Sequence, residues 1–239
     1  MMDKIHNISS QRVVIVLVRS FFDAFSEGVI ESCKLEISSE KYSPHDIKAM
    51  MLDHYGSINS YFFDVMFYII SRISHDSMDG IRHRLDAVFA NEQPTVPELM
   101  RVACGTEELY LTMVNEYKYC FSLLLAGERS SLSEHLVSVH DDNNISTSES
   151  LAIQLIVRTV VKAYLSGLSV SKCGKTGFRH ATVFRILACN INCLVNEKSH
   201  YMTCDTLEEM LRMACGSDAN MTVAVNELNS MYTDIVDEC

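Results

Sequence analysis

Apolar side chains recur every three or four residues along most of the chain. Val14, Leu17, Val18, Phe21, Phe22 and Phe25 form one stripe; Ile153, Ile156, Val157, Val160, Val161 and Tyr164 form another. Such spacing predicts helices with one buried face. Each stripe runs to a glycine, Gly28 or Gly167, and a glycine there predicts a left-handed C-terminal cap. Further helices are predicted from Ser43-Pro44 with Asp46 to Gly56, over the apolar segment Tyr61 to Ile73, around Met78–Phe89 and at about His180–Leu194. No segment alternates convincingly as a strand, and no hairpin turn signal is present. The pattern predicts an all-α fold.

The polar positions reveal a repeat. ELMRVACGTE (98–107) returns as EMLRMACGSD (209–218), and across residues 94–116 and 205–227 nine of 23 positions are identical. VRSFFDAFSEG (18–28) likewise matches VRTVVKAYLSG (157–167). The two offsets are 111 and 139, so the first copy carries about 28 extra residues between its blocks, enough for one or two extra helices. The reading is a tandem duplication: a helical copy at 11–126, a Ser-, Asn- and acid-rich linker at 127–149 and a shorter copy at 150–239. Six helices are expected in the first copy and four in the second.

The repeated words spell a helix–glycine–helix corner. Thr95 with Glu98, and Thr206 with Glu209, fit a capping box. Cys104 and Cys215 fall on the last apolar turn, Gly105 and Gly216 end it, and Thr106 or Ser217 caps the next helix. These eight residues (Thr95, Glu98, Cys104, Gly105, Thr206, Glu209, Cys215, Gly216) are the sites singled out by the sequence, and they are structural ones. The two cysteines read as small buried hydrophobes. Arg101 and Arg212 lie three residues after Glu98 and Glu209, which predicts surface ion pairs. Asn115-Glu116 and Asn226-Glu227 recur unchanged in copies that otherwise diverge, which points to structural hydrogen bonds.

Composition narrows the partners. Net charge is −11. Residues 1–126 hold 11 basic against 17 acidic groups, residues 127–149 hold 1 against 5, and residues 150–239 hold 8 against 9. Without a basic stripe, nucleic acid and anionic membrane surfaces are poor partners. The longest aliphatic run, Val13 to Val18, is six residues, far short of the roughly 20 of a membrane span. The nine cysteines split three and six between the copies, an odd total that favours reduced thiols in an intracellular compartment, cytoplasmic or nuclear. The sequons at Asn7, Asn144 and Asn220 would fit the alternative, secretion.

Catalytic signatures are weak. Ser169–Thr176 (SVSKCGKT) ends like a phosphate-binding loop but lacks the first glycine and a preceding strand. Cys189, Cys193 and Cys204 with His180 and His200 lack the tight pairs of structural zinc. No nucleophile elbow occurs. No cofactor and no enzyme activity are expected. The favoured function is a protein–protein interaction module, an adaptor or self-assembling scaffold whose 13 methionines suit adaptable grooves. The alternative is a small-molecule or lipid carrier with a cavity between apolar helices, and an enzyme is the third reading.

Overall fold

A computed structural model describes residues 7–36, 49, 55–74, 78–89, 94–126, 146–170, 178–196 and 204–237. Its described elements are β1 (Asn7–Ser9), α1 (Ser10–Glu36), α2 (Tyr55–Ser74), α3 (Met78–Phe89), α4 (Val96–Cys104), α5 (Glu107–Ala126), β2 (Ser146–Ser148), α6 (Glu149–Ser169), α7 (His180–Val195), α8 (Leu207–Cys215) and α9 (Asp218–Asp237). The fold is all-α apart from one two-stranded ladder.

Helices α1 and α6 form the centre. Val13, Val14, Val16, Leu17 and Val18 are all buried, as are Leu155, Ile156, Val157, Val160 and Val161. A run rich in β-branched residues reads locally as strand. Here it is helical because every side of it is covered, so burial outweighs propensity. α1 packs against α6 along its length and also contacts α5, α7 and α2; α6 also contacts α9, α7 and α2. One continuous core contains residues from both sequence halves. Two buried hydroxyls on the central pair are satisfied within their own helices: Ser20 Oγ donates to the Val16 carbonyl at 2.7 Å, and Thr159 Oγ1 to the Leu155 carbonyl at 2.8 Å.

The central helices meet at both ends. Before α1 and α6, β1 and β2 pair antiparallel, Asn7 opposite Ser148, Ile8 opposite Thr147 and Ser9 opposite Ser146. Ser10 and Thr147 also share a hydroxyl hydrogen bond of 2.9 Å. Near the other end Gly28 faces Gly167. A Cβ placed on Gly28 would lie 2.3 Å from the Tyr164 carbonyl oxygen and 3.0 Å from the Gly167 Cα; one placed on Gly167 would lie 2.3 Å from the Phe25 oxygen and 3.0 Å from the Gly28 Cα. Matching ends are adjacent, so the two helices run parallel.

Several expectations are overturned here. Gly28 and Gly167 do not end helices: both lie inside them, and among the described residues the positive-φ glycines are Gly105 and Gly216. Their reason is close approach, since each lets the opposite backbone come within reach of its own. Strands do exist, but three residues each are too short to write an alternating pattern. Residues 146–148 of the expected linker form β2, and Glu149 already opens α6; residues 127–145 lie outside the described residues. So does most of the helix expected from Ser43-Pro44 and Asp46; Gly56, expected to close it, sits in the first turn of α2. Five helices are described in the first sequence half and four in the second. α6 is by length and composition apolar enough to cross a membrane, and 67% of its apolar window is buried inside the fold.

Candidate binding groove

The two corners carry the residues singled out from sequence. Gly105 has φ 71° and Gly216 has φ 67°, both left-handed, and Cys104 and Cys215 beside them are fully buried. Burial pushes both thiols up to about 12, with a nearby carboxylate (Glu107 for Cys104, Glu149 for Cys215) adding to it. These are packing groups without nucleophilic character at neutral pH.

The two capping boxes are realised differently. The Glu98 carboxylate accepts from the Thr95 amide and hydroxyl, each at 2.7 Å; those bonds hold its carboxyl below the usual range, Thr95 backbone first. In the second corner the Thr206 hydroxyl accepts from the Glu209 amide at 3.1 Å. Thr106 and Ser217 cap α5 and α9, accepting from the Leu109 and Asn220 amides at 3.2 Å each.

The arginine pairing differs from expectation. Arg101 pairs with Glu107 at 3.2 Å and its guanidinium lies 4.4 Å over the Tyr110 ring, while Arg212 pairs with Glu208 at 3.2 Å. The left-handed corner brings the start of α5 back beside Arg101, closer competition than Glu98, whose carboxylate is occupied at the cap. The repeated glutamates have a different role: Glu116 forms an ion pair with Arg19, and Glu227 with Arg158. Both arginines stand in the other repeated block, so each pair ties a central helix to the last helix of its own half.

These residues build a frame, and beside the first corner it leaves a groove. Its volume is about 480 Å³, and α2 (Asn59, Phe62, Phe63), α4 (Val96, Pro97, Met100) and α5 form its walls. α5 contributes Tyr110, Met113, Val114, Tyr117, Lys118, Phe121, Ser122 and Leu125. Its opposite face, Leu109, Cys120 and Leu124, is buried in the core, so α5 has two apolar stripes and the core uses only one fully. The floor is aromatic: Phe62 lies 4.6 Å from Tyr117 and 5.1 Å from Phe21, and the Tyr117 hydroxyl bonds Asn59. Val96 is 53% exposed at the rim. Among the described lining residues Lys118 carries the only formal charge, and the exposed wall is mostly apolar.

A second, polar cleft of about 490 Å³ lies between Arg12, Glu149, Asn196, Ser217 and Asn220. Its polar groups serve the fold. Arg12 donates to the Cys193 carbonyl at 2.9 Å, Asn196 to the Ala214 carbonyl at 3.0 Å and Asn220 to the Cys215 carbonyl at 3.0 Å.

The remaining sequence candidates do not converge. Cys193 is buried on α7, Cys204 lies against the Met213 sulfur, and His180 packs edge-on against Phe178 and Tyr232. Among the described residues no three His, Cys, Asp or Glu side chains gather as a metal set. His200 and the GKT end of Ser169–Thr176 lie outside the described residues. The groove was not among the sites read from the sequence, although its signal is legible there: Val114, Tyr117, Phe121 and Leu125 recur at three- and four-residue steps on a helix already carrying one apolar face. No family model matches the chain, and neither a curated protein nor a solved structure is significantly similar to it.

Proposed function

We infer that the chain is a non-enzymatic protein–protein interaction module, and that the groove between α2, α4 and α5 holds an apolar-faced helix of a partner protein. The observation that carries this is the second apolar stripe of α5. From Tyr110 to Leu125 it extends 15 residues, about 22 Å at 1.5 Å per residue, the length of four turns of a docked helix. Aromatic floors with a half-exposed aliphatic rim are the usual form of helix-in-groove recognition.

The architecture behind the groove is read as a tandem duplication of one helical unit. Repeated corners with left-handed Gly105 and Gly216 support it. So do the ion pairs Arg19–Glu116 and Arg158–Glu227, whose members keep the two sequence offsets of 139 and 111. The antiparallel pair Ile8 opposite Thr147 and the reciprocal Gly28–Gly167 contact both join positions 139 apart, which is what a two-fold axis running between α1 and α6 requires. For α2 and α7 the offset is 121: Ser74 stands at the Gly105 corner where Val195 stands at Gly216.

The test is selection of binders from a library of randomised helical peptides, followed by Val114→Asp and Phe121→Asp. Both positions are partly exposed and pack on the core, so each variant is first checked by melting for a cooperative fold, and folded variants should bind selected peptides at least about tenfold more weakly. Peptides that bind parent and variants alike would refute the groove. The groove's volume also lies in the range of small-ligand sites; a polarity-sensitive apolar dye that binds the parent, is lost in the same variants and is displaced by fatty acids and not by any selected peptide would favour the carrier instead.

A further inference from the structure

We propose that the partner helix held in the groove carries one acidic side chain at its middle, selected by Lys118; this rests on the groove reading. α5 holds three acids and one base. Its acids are committed to the fold: Glu116 pairs with Arg19, Glu107 pairs with Arg101, and Glu108 accepts from the Gln11 side-chain amide. Glu98 on α4 is held by Thr95. Lys118 is exposed on the groove wall, and among the described residues no carboxylate pairs with it. Its neighbours one turn away along α5, Val114, Asn115, Phe121 and Ser122, are all uncharged, so its own helix offers it no ion pair. On the duplication reading the matching position in the second half is Asn229 (118 + 111), so the charge belongs to the half that has the groove.

Position turns this charge into a rule for the partner. Lys118 stands 8 residues after Tyr110 and 7 before Leu125, the two ends of the stripe that α5 gives to the groove. Those steps are about 12 Å and about 11 Å at 1.5 Å per residue, so the lysine marks the middle. A carboxylate facing it falls near the middle of a docked four-turn helix whichever way that helix runs. Apolar wall continues on both sides, Met113 and Val114 before it and Phe121 and Leu125 after it, so the acid is flanked by apolar anchors. Docking strips water from the ammonium. A neutral residue above it leaves that loss uncompensated or makes the side chain bend to the rim; a carboxylate offsets it; a second cation adds repulsion. The net charge of −11 repels a uniformly acidic helix. One central carboxylate on an otherwise apolar face satisfies both conditions.

The test uses the full chain and the randomised helical peptides, with every binder sequenced. Binders to the parent should share Asp or Glu at one central position, between apolar anchors. Lys118→Glu should weaken those peptides about tenfold, and a fresh selection on that variant should place Lys or Arg at the same position. Lys118→Met, the uncharged variant, should remove the preference for either charge. Both variants are checked by melting for the parent's cooperative fold. Binders that keep the apolar anchors and lose affinity for Val114→Asp, yet lack the central acid or ignore Lys118→Glu, would overturn the proposal while the groove stands. Binders indifferent to Val114→Asp would overturn the groove itself. Self-association of the parent that is lost in Val114→Asp would name a second copy as the occupant. A fatty acid that needs Lys118 and is displaced by none of the peptides would name a lipid carboxylate. Either of these last results overturns the assignment to an acid-bearing partner helix.

Discussion

The two ends of the molecule use matching positions differently. In the first half Asn59 and Phe121 both line the open groove, with Val96 at its rim. Their counterparts in the second half are His180 and Tyr232, whose rings meet at 4.8 Å, and Phe178 packs on both, 5.1 Å from His180 and 5.4 Å from Tyr232. Phe178 also meets Tyr164 of the central helix. Three aromatic rings thus bridge α7 and α9 where the first half keeps a channel between α2 and α5. On the duplication reading, the difference teaches that one frame is finished in two ways. Where a ring is added at the helix start, the face is closed; where it is absent and the last helix carries a second apolar stripe, a groove remains. α3, which has no counterpart among the described residues of the second half, packs on α4, with Ile81 buried.

The comparison breaks most severely at the central glycines. Gly28→Leu and Gly167→Leu should each cost upwards of about 3 kcal/mol, because either side chain begins inside the opposite carbonyl. Urea unfolding should show the two losses agreeing within about 1 kcal/mol, as the contact is reciprocal. A large loss at one glycine and none at the other would mean that the helices do not approach there as equals.

The ion pairs should separate the halves. The Arg19 and Glu116 side chains are 6% and 11% exposed, whereas Arg158 is 37% exposed beside Glu227 at 10%. Glu116→Ala leaves a buried guanidinium and should cost about 3 kcal/mol. Glu227→Ala leaves one that water can reach and should cost about 1 kcal/mol. Equal losses in denaturant melts would show that burial does not set the difference.

The smallest effect is at the caps. Thr95 holds the Glu98 carboxyl below its usual value of 4.5. A depressed folded-state value means that the stabilisation is complete above about pH 4.5 and fades as pH falls through the folded value. Glu98→Gln should therefore lower the urea midpoint slightly at about pH 6, and the gap should close as pH falls through the folded value. A gap that persists in acid would indicate that the carboxylate charge is not what the cap uses.

Much of the frame was legible in the sequence because it is local. The range Met78–Phe89, the cap residues Thr106 and Ser217 and the left-handed Gly105 and Gly216 all follow from chemistry within four residues. What stayed hidden depends on the other half of the chain. Gly28 reads as a helix end until Gly167 is set against it. Three-residue strands have no pattern of their own and exist only because Ile8 has Thr147 to pair with. Arg101 chose Glu107 over Glu98 because the corner folds back. The groove needed the knowledge that the core uses only one of the stripes on α5. Buried Glu116 and Glu227 were marked by repetition, yet their partners Arg19 and Arg158 lay in a different repeated word.

The parallel central pair also sets a timetable for synthesis. α1 leaves the ribosome 139 residues ahead of the helix that covers it, and translation at about 5–20 residues per second makes that wait roughly 7–28 s. Throughout it the glycine notch and the flanking valines face solvent, chaperone or a neighbouring nascent chain. On a polysome several such faces stand side by side, all of the same half. The centre of the fold therefore closes only after the second half of the chain has been made, because α1 cannot bury that face before α6 exists.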